Sequence, residues 1–111
     1  MSSVQELHFP SEAAFRTEIT LDKYKDRLVV VDFSAVWCPP CQYIKPIFRD
    51  FAKDLSEAAF IEVDVDESDE LSAAVGIRAM PTFQFYRNGK KIDTMTGADP
   101  AGLKRLLNQH K

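Results

Sequence analysis

Cys38 and Cys41 are the only cysteines in this 111-residue chain, and only Pro39 and Pro40 stand between them. Thiols at that spacing suit two kinds of chemistry: a disulfide that opens and closes, or half of a metal site. A disulfide stabilises mainly by constraining the unfolded chain, and a ring of about four residues lies near the weak end of that effect. Reversible dithiol–disulfide exchange therefore explains the pair better than a structural staple does. A closed zinc site takes four ligands, and the only histidines, His8 and His110, lie near the chain ends, so a second half-site is lacking.

The elements around the cysteines must hold them at a defined separation. Leu28-Val29-Val30-Val31-Asp32-Phe33 is apolar on both faces apart from Asp32, the pattern of a central strand covered on both sides. The strand, predicted from Leu28 to Ala35, runs into a helix whose first turn contains Cys38 to Gln42. Cysteines three apart on a helix share a face, with β-carbons about 5 to 6 Å apart, so a small adjustment brings the sulfurs together. The same helix presents Ile44, Ile47, Phe48, Phe51 and Leu55 as one buried stripe, with a kink expected at Pro46. A carboxylate in an apolar central strand is costly unless neutral or paired, so Asp32 should hold its proton more tightly than usual and is a candidate functional group. The plainer readings are a salt bridge or an outward-facing aspartate at the strand's end.

Elsewhere, Val4 to Phe9 reads as an edge strand. Ser11 caps a helix with Glu12 in its first turn and Phe15 and Ile19 on its apolar face. Phe60 to Val65 is a second buried strand, followed by a short helix with Leu71, Ala74 and Val75 that stops at Gly76. Thr82 to Arg87 alternates, Asn88-Gly89 makes a tight turn, and Lys90 to Met95 returns. Asp99-Pro100 opens a last helix with Leu103, Leu106 and Leu107. The order is β-α-β-α-β-α-β-β-α, an α/β fold with a mixed sheet, parallel then antiparallel, and helices on both faces.

With 45% hydrophobic and 28% charged residues, the chain reads as an ordinary globular protein forming one domain over 1–111. Met1 to Phe15 lacks a basic start followed by an apolar run, and no segment reaches the ~20 apolar residues of a membrane span. A reducing compartment, the cytoplasm, is therefore expected. A net charge of −3 argues against nucleic acid or anionic membrane as the main partner. The acidic run Asp64, Asp66, Glu67, Asp69, Glu70 reads as a solvated loop feeding a helix N-terminus; the alternative is a docking surface for a basic partner.

Asp32, the run Trp37-Cys38-Pro39-Pro40-Cys41, Pro46, Met80-Pro81-Thr82 and Gly97, placed on that framework, resemble the thioredoxin family, and specifically its eukaryotic cytosolic members. The resemblance is strongest from about Leu28 to Gly97 and loose in the first third. Two departures stand out: Pro39 replaces the usual glycine of the motif, and Gln42 stands where a lysine is common. Cys-Pro-Pro-Cys is the motif of tryparedoxins and nucleoredoxin-like proteins, which are the runner-up within the class.

The resemblance implies a protein-disulfide reductase that passes electrons to client proteins. A helix N-terminus favours a thiolate, which assigns Cys38 as the exposed nucleophile; Cys41, one turn deeper, resolves the mixed disulfide. Asp32 is implied as general acid/base for Cys41, through a water. A cis Met80-Pro81 bond, reversing the usual trans expectation, is implied to set the Met80 backbone beside the sulfurs for pairing with an extended client segment. Trp37, Pro39, Pro40, Ala79, Met80, Pro81, Thr96, Gly97 and Ala98 would form the substrate groove. The plainer alternatives are a core aromatic for Trp37 and a turn or bulge residue for Gly97. No glycine-rich nucleotide motif is present, so no cofactor is expected on the chain. Electrons are implied to come from NADPH through a flavoprotein thioredoxin reductase, with peroxiredoxins, methionine sulfoxide reductases and ribonucleotide reductase as clients of a monomer. A rival reading is a redox-sensing adaptor that binds a partner without turnover.

Overall fold

The predicted central strand forms as β2 (Leu28–Ser34), and every residue in it except Ser34 is buried. The computed structural model describes residues 3–111; the reading of the first fifteen residues therefore falls partly on Met1 and Ser2, outside the described residues. Around β2 lie β1 (Val4–Glu6), α1 (Glu12–Ile19), α2 (Pro39–Asp54), β3 (Ala59–Asp64), α3 (Asp69–Ala74), β4 (Thr82–Arg87), β5 (Lys90–Thr96) and α4 (Pro100–His110). Strand order in the sheet is β1-β3-β2-β4-β5. β1, β3 and β2 are parallel, and β4 and β5 are antiparallel to their neighbours, the mixed sheet that the sequence predicts.

Side-chain alternation gives each strand two faces, and both are covered. Val30, Phe60, Phe83 and Phe85 meet Ile44 and Phe48 of α2 and Leu103 and Leu107 of α4 on one side. Val29, Val31, Phe33 and Ile61 meet Phe15 and Ile19 of α1 and Leu71 of α3 on the other. Helix α2 stays a single element through Pro46. The predicted caps are in place: Ser11 accepts from the Ala14 N–H and Asp99 from the Gly102 N–H, each at 3.1 Å. Asn88 and Gly89 both have positive φ, 51° and 80°, the geometry of the tight hairpin turn.

Several strand boundaries differ from expectation, and β2 ends at Ser34, one residue before the predicted Ala35. The first strand ends at Glu6, not Phe9, because the chain leaves the sheet: the Leu7 N–H still reaches the Glu62 carbonyl at 3.0 Å, but the Phe9 N–H is taken by Ser68 Oγ at 2.9 Å. Phe9 then packs edge-on against Phe15, and Pro10 has no N–H to continue a ladder. β3 begins and ends one residue earlier than predicted, and β5 extends one residue further, to Thr96. A short 3-10 turn, Asp22–Tyr24, occupies the stretch after α1. Its Tyr24 is buried and donates from its hydroxyl to Glu18 at 2.7 Å.

Candidate active site

Where β2 ends, the chain turns through Ala35, Val36 and Trp37 and enters α2 at Cys38. Cys38 is the N-cap residue, and Pro39 and Pro40 fill the first two helical positions. Proline is tolerated there because N–H groups in the first turn have no intrahelical acceptor. The donors that remain turn back on Cys38: the Cys41 N–H points at Cys38 Sγ, 3.3 Å away, and the Gln42 N–H at the Cys38 carbonyl, 3.1 Å away. Cys38 and Cys41 are joined as a disulfide, with α-carbons 5.3 Å apart.

The two sulfurs are not equivalent. Cys38 was expected to be exposed, yet in the disulfide form it retains only 5% of its surface, against 0% for Cys41. It sits in a crevice with Ala35 and Cys41, bordered by Met80 and Val65. Cys38 is still the more exposed residue of the two.

The Met80-Pro81 peptide is cis, and the Met80 carbonyl oxygen lies 3.7 Å from Cys38 Sγ. Thr82 ties this corner down, donating to the Ala79 carbonyl at 2.6 Å and meeting the Thr96 hydroxyl at 3.3 Å. The Gly97 N–H donates to the Pro81 carbonyl at 2.9 Å, which docks the end of β5 onto the corner. Gly97 has φ +105°, a conformation that favours glycine. Pro39, Pro40, Ala79 and Thr96 are exposed, Met80 and Gly97 half-buried, and half-buried Ala98 leans on the main core. Trp37 is not a core aromatic: 61% of it is exposed, and its Nε1–H donates to Asp66 Oδ2 at 2.8 Å.

Asp32 faces inward, which rules out the outward-facing aspartate. It is 1% exposed, and its Oδ1 has no hydrogen-bond partner. Burial, and then the charge of Glu62, push its carboxyl up to about 8, with Lys45 pulling weakly the other way. A group with that proton affinity can give or take a proton near neutral pH. It borders a cavity of about 340 Å³ shared with Gln42, Lys45 and Glu62.

Sequence reasoning missed Asp66 as the residue that holds Trp37, and Glu62 and Lys45 as the charges around Asp32. Asp66 belongs to the acidic run, for which the sequence suggests a solvated loop or a docking surface for a basic partner, not an acceptor for Trp37. That loop reading fits the rest of the run: Asp64 Oδ1 accepts the N–H groups of Asp66 and Glu67 at 2.8 and 3.3 Å, and Asp69 and Glu70 open α3.

Comparison with known proteins agrees with this geometry. The family model described as thioredoxin matches residues 6–109. A thioredoxin of Ictalurus punctatus is 50% identical over 88 residues, 78% of this chain and 82% of that protein. The human thioredoxin is 41% identical over 99 residues, 89% of this chain and 92% of its own length. The X-ray structure of Fasciola hepatica thioredoxin superposes with a TM-score of 0.87 at 38% identity, covering 96% of this chain and 99% of that one. Fold, cysteine pair and relatives converge: the chain belongs to the thioredoxin family of thiol–disulfide oxidoreductases.

Proposed function

We propose that Cys38 attacks the client disulfide, Cys41 resolves the mixed disulfide, and Asp32 handles the proton of Cys41. The observation that carries this reading is the asymmetry of the pair: Cys38 caps a helix, receives the Cys41 N–H and keeps some exposure, while Cys41 is fully buried. The N–H that points at Cys38 Sγ, together with the helix dipole, favours negative charge on that sulfur.

The electron balance follows from exchange chemistry. The Cys38 thiolate bonds to one client sulfur, and the other leaves as a thiolate. Asp32 in its ionised form takes the proton from the Cys41 thiol, and the new thiolate attacks Cys38 Sγ. The first client sulfur then leaves. Two electrons have passed to the client, and the Cys38–Cys41 bond has formed. When a reductase opens that bond again, the neutral carboxyl of Asp32 returns the proton. A carboxyl whose affinity approaches that of a thiol, ~8.5, can act in both directions at modest cost.

Thioredoxins work with a reductase and disulfide-bearing clients. Within that frame we read the chain as a cytoplasmic, eukaryotic-type monomer, its electrons coming from NADPH through a flavoprotein reductase. Peroxiredoxins, methionine sulfoxide reductases and ribonucleotide reductase are the proposed client classes. Trp37, Pro39, Pro40, Ala79, Met80 and Thr96 to Ala98 line the docking groove over Pro81, which is buried beneath it and is not itself a lining residue, and the Met80 backbone pairs with an extended client segment. A second reading, a dithiol carrier reduced by a low-molecular-weight thiol, is favoured only by Pro39 in the motif.

Insulin reduction by the full chain separates these readings. Turnover driven by NADPH and thioredoxin reductase, faster than turnover driven by glutathione with glutaredoxin or by trypanothione, is the expected result; the reverse ranking would establish the second reading. Cys41→Ser should abolish turnover and accumulate a mixed disulfide, whereas unchanged partner binding with no wild-type turnover would identify an adaptor.

A further inference from the structure

Three neighbouring strands bring three carboxylates into one row. The parallel registers align Glu6 of β1 with Glu62 of β3, and Glu62 with Asp32 of β2. By alternation these residues share the face of Val4, Phe60 and Val30, the side packed against α2. Adjacent strands lie about 4.8 Å apart, so each carboxyl group has another beside it. The row runs inward: the Glu6 side chain is 67% exposed, that of Glu62 8%, and Asp32 as a residue 1%.

Helix α2 lays a matching stripe across the row. Cys41, Lys45 and Arg49 recur every four residues, which places them on one helix face. Arg49 grips Glu62 with two hydrogen bonds, Nε at 3.1 Å and an Nη at 2.9 Å, and the same Nη reaches Glu6 at 2.8 Å. Lys45 Nζ stands 3.9 Å from Glu6. Two cations thus serve the two outer carboxylates, and among the described residues Asp32 has no ion pair.

Two carboxylates this close cannot both be charged without a large cost, and the position of the cation decides which of them keeps the proton. We propose that Glu62, fixed beside Asp32 by the two-pronged grip of Arg49, is a positioning residue for the exchange reaction: its carboxylate keeps a proton on Asp32, where it can pass to and from the sulfur of Cys41. This rests on the reading that Asp32 serves Cys41. The other groups facing Asp32 do not supply the same effect. Lys45 of α2 acts in the opposite sense. The cavity also holds His8 beyond β1 and Asp64 and Glu67 at and beyond the end of β3. β4 places uncharged Phe83 opposite.

The test is a carboxyl carbon-13 NMR titration of the oxidised protein, in which neither cysteine titrates, so that Asp32 is read alone. In Glu62→Gln the Asp32 midpoint should fall by about one pH unit, a tenfold loss of proton affinity, and Glu62→Asp, which keeps the charge, should stay close to wild type. An unmoved Asp32 midpoint in Glu62→Gln overturns the proposal. So does a wild-type titration in which the step above neutral pH belongs to the Glu62 signal, an outcome that needs no variant to fold. Stopped-flow release of client by the reduced protein should show its pH midpoint moving in the same direction as the NMR midpoint. An NMR shift without a change in release would uphold the pair and overturn the role of Asp32 toward Cys41.

Discussion

Replacing Asp32 with asparagine should stabilise the protein at neutral pH, although it removes a group assigned to the reaction. In the folded chain the Asp32 carboxyl is pushed from its ordinary 3.8 up to about 8, mainly by burial. The unfolded chain has no such burial and releases the proton near the ordinary value. Between those two pH values the native state holds a proton that the unfolded state has lost, so raising the pH favours unfolding. The slope is about 1.4 kcal/mol per pH unit. From the ordinary value to pH 7 is roughly three units, so the wild type carries a penalty of about 4 kcal/mol at pH 7 that is absent below about pH 4 and complete above about pH 8. Asparagine carries no such penalty. Its amide buries an unpaired polar group, but so does the neutral carboxyl, whose Oδ1 has no partner, and these costs roughly cancel. Total stabilities of ~5–15 kcal/mol make the effect a large fraction of the whole. Urea unfolding of both oxidised proteins from pH 4 to pH 9 measures it. The variant should gain steadily on the wild type up to about pH 8 and hold its lead beyond. A difference that stays flat between pH 5 and 8, or a variant less stable throughout, would refute the argument.

Trp37→Ala should change stability by less than about 0.5 kcal/mol, because the side chain is mostly exposed. It should lower kcat/KM for a protein client about tenfold, the scale of a lost aromatic anchor; steady-state insulin reduction measures this. Asp66→Ala, which removes the acceptor of the indole N–H, should produce a smaller loss in the same direction. Pro39→Gly restores a backbone N–H at the helix start beside Cys38 and loosens the loop. The wild-type potential should therefore be equal to or more negative than that of the variant, where 30 mV corresponds to about 1.4 kcal/mol. Equilibration of both proteins against a glutathione couple measures this, and a clearly less negative wild type would contradict it.

What could be read from the sequence follows the range of the interactions involved. Local signals were sufficient for the caps at Ser11 and Asp99, the Asn88-Gly89 turn, the buried run of β2 and the position of Cys38 at a helix start, because each depends on residues within a few positions of one another. Asp32 was identifiable because a charge in an apolar strand conflicts with its surroundings. β1 was drawn too long, because its end depends on Ser68, 59 residues away, taking the Phe9 N–H. The Tyr24 turn was missed because burial of Tyr24 against Glu18 outweighs its weak local pattern. The cis Met80-Pro81 bond was accessible only through family resemblance, since the local preference points to trans. The carboxylate row was out of reach, because it requires the registers of three strands that lie far apart along the chain.

The central claim is the division of labour between the two sulfurs. It is tested most directly by timed alkylation of the reduced, folded protein, with each cysteine followed by peptide mass spectrometry. The account predicts that Cys38 is labelled rapidly near neutral pH while Cys41 stays protected until the chain unfolds. Rapid labelling of Cys41 with Cys38 left unreacted would contradict it.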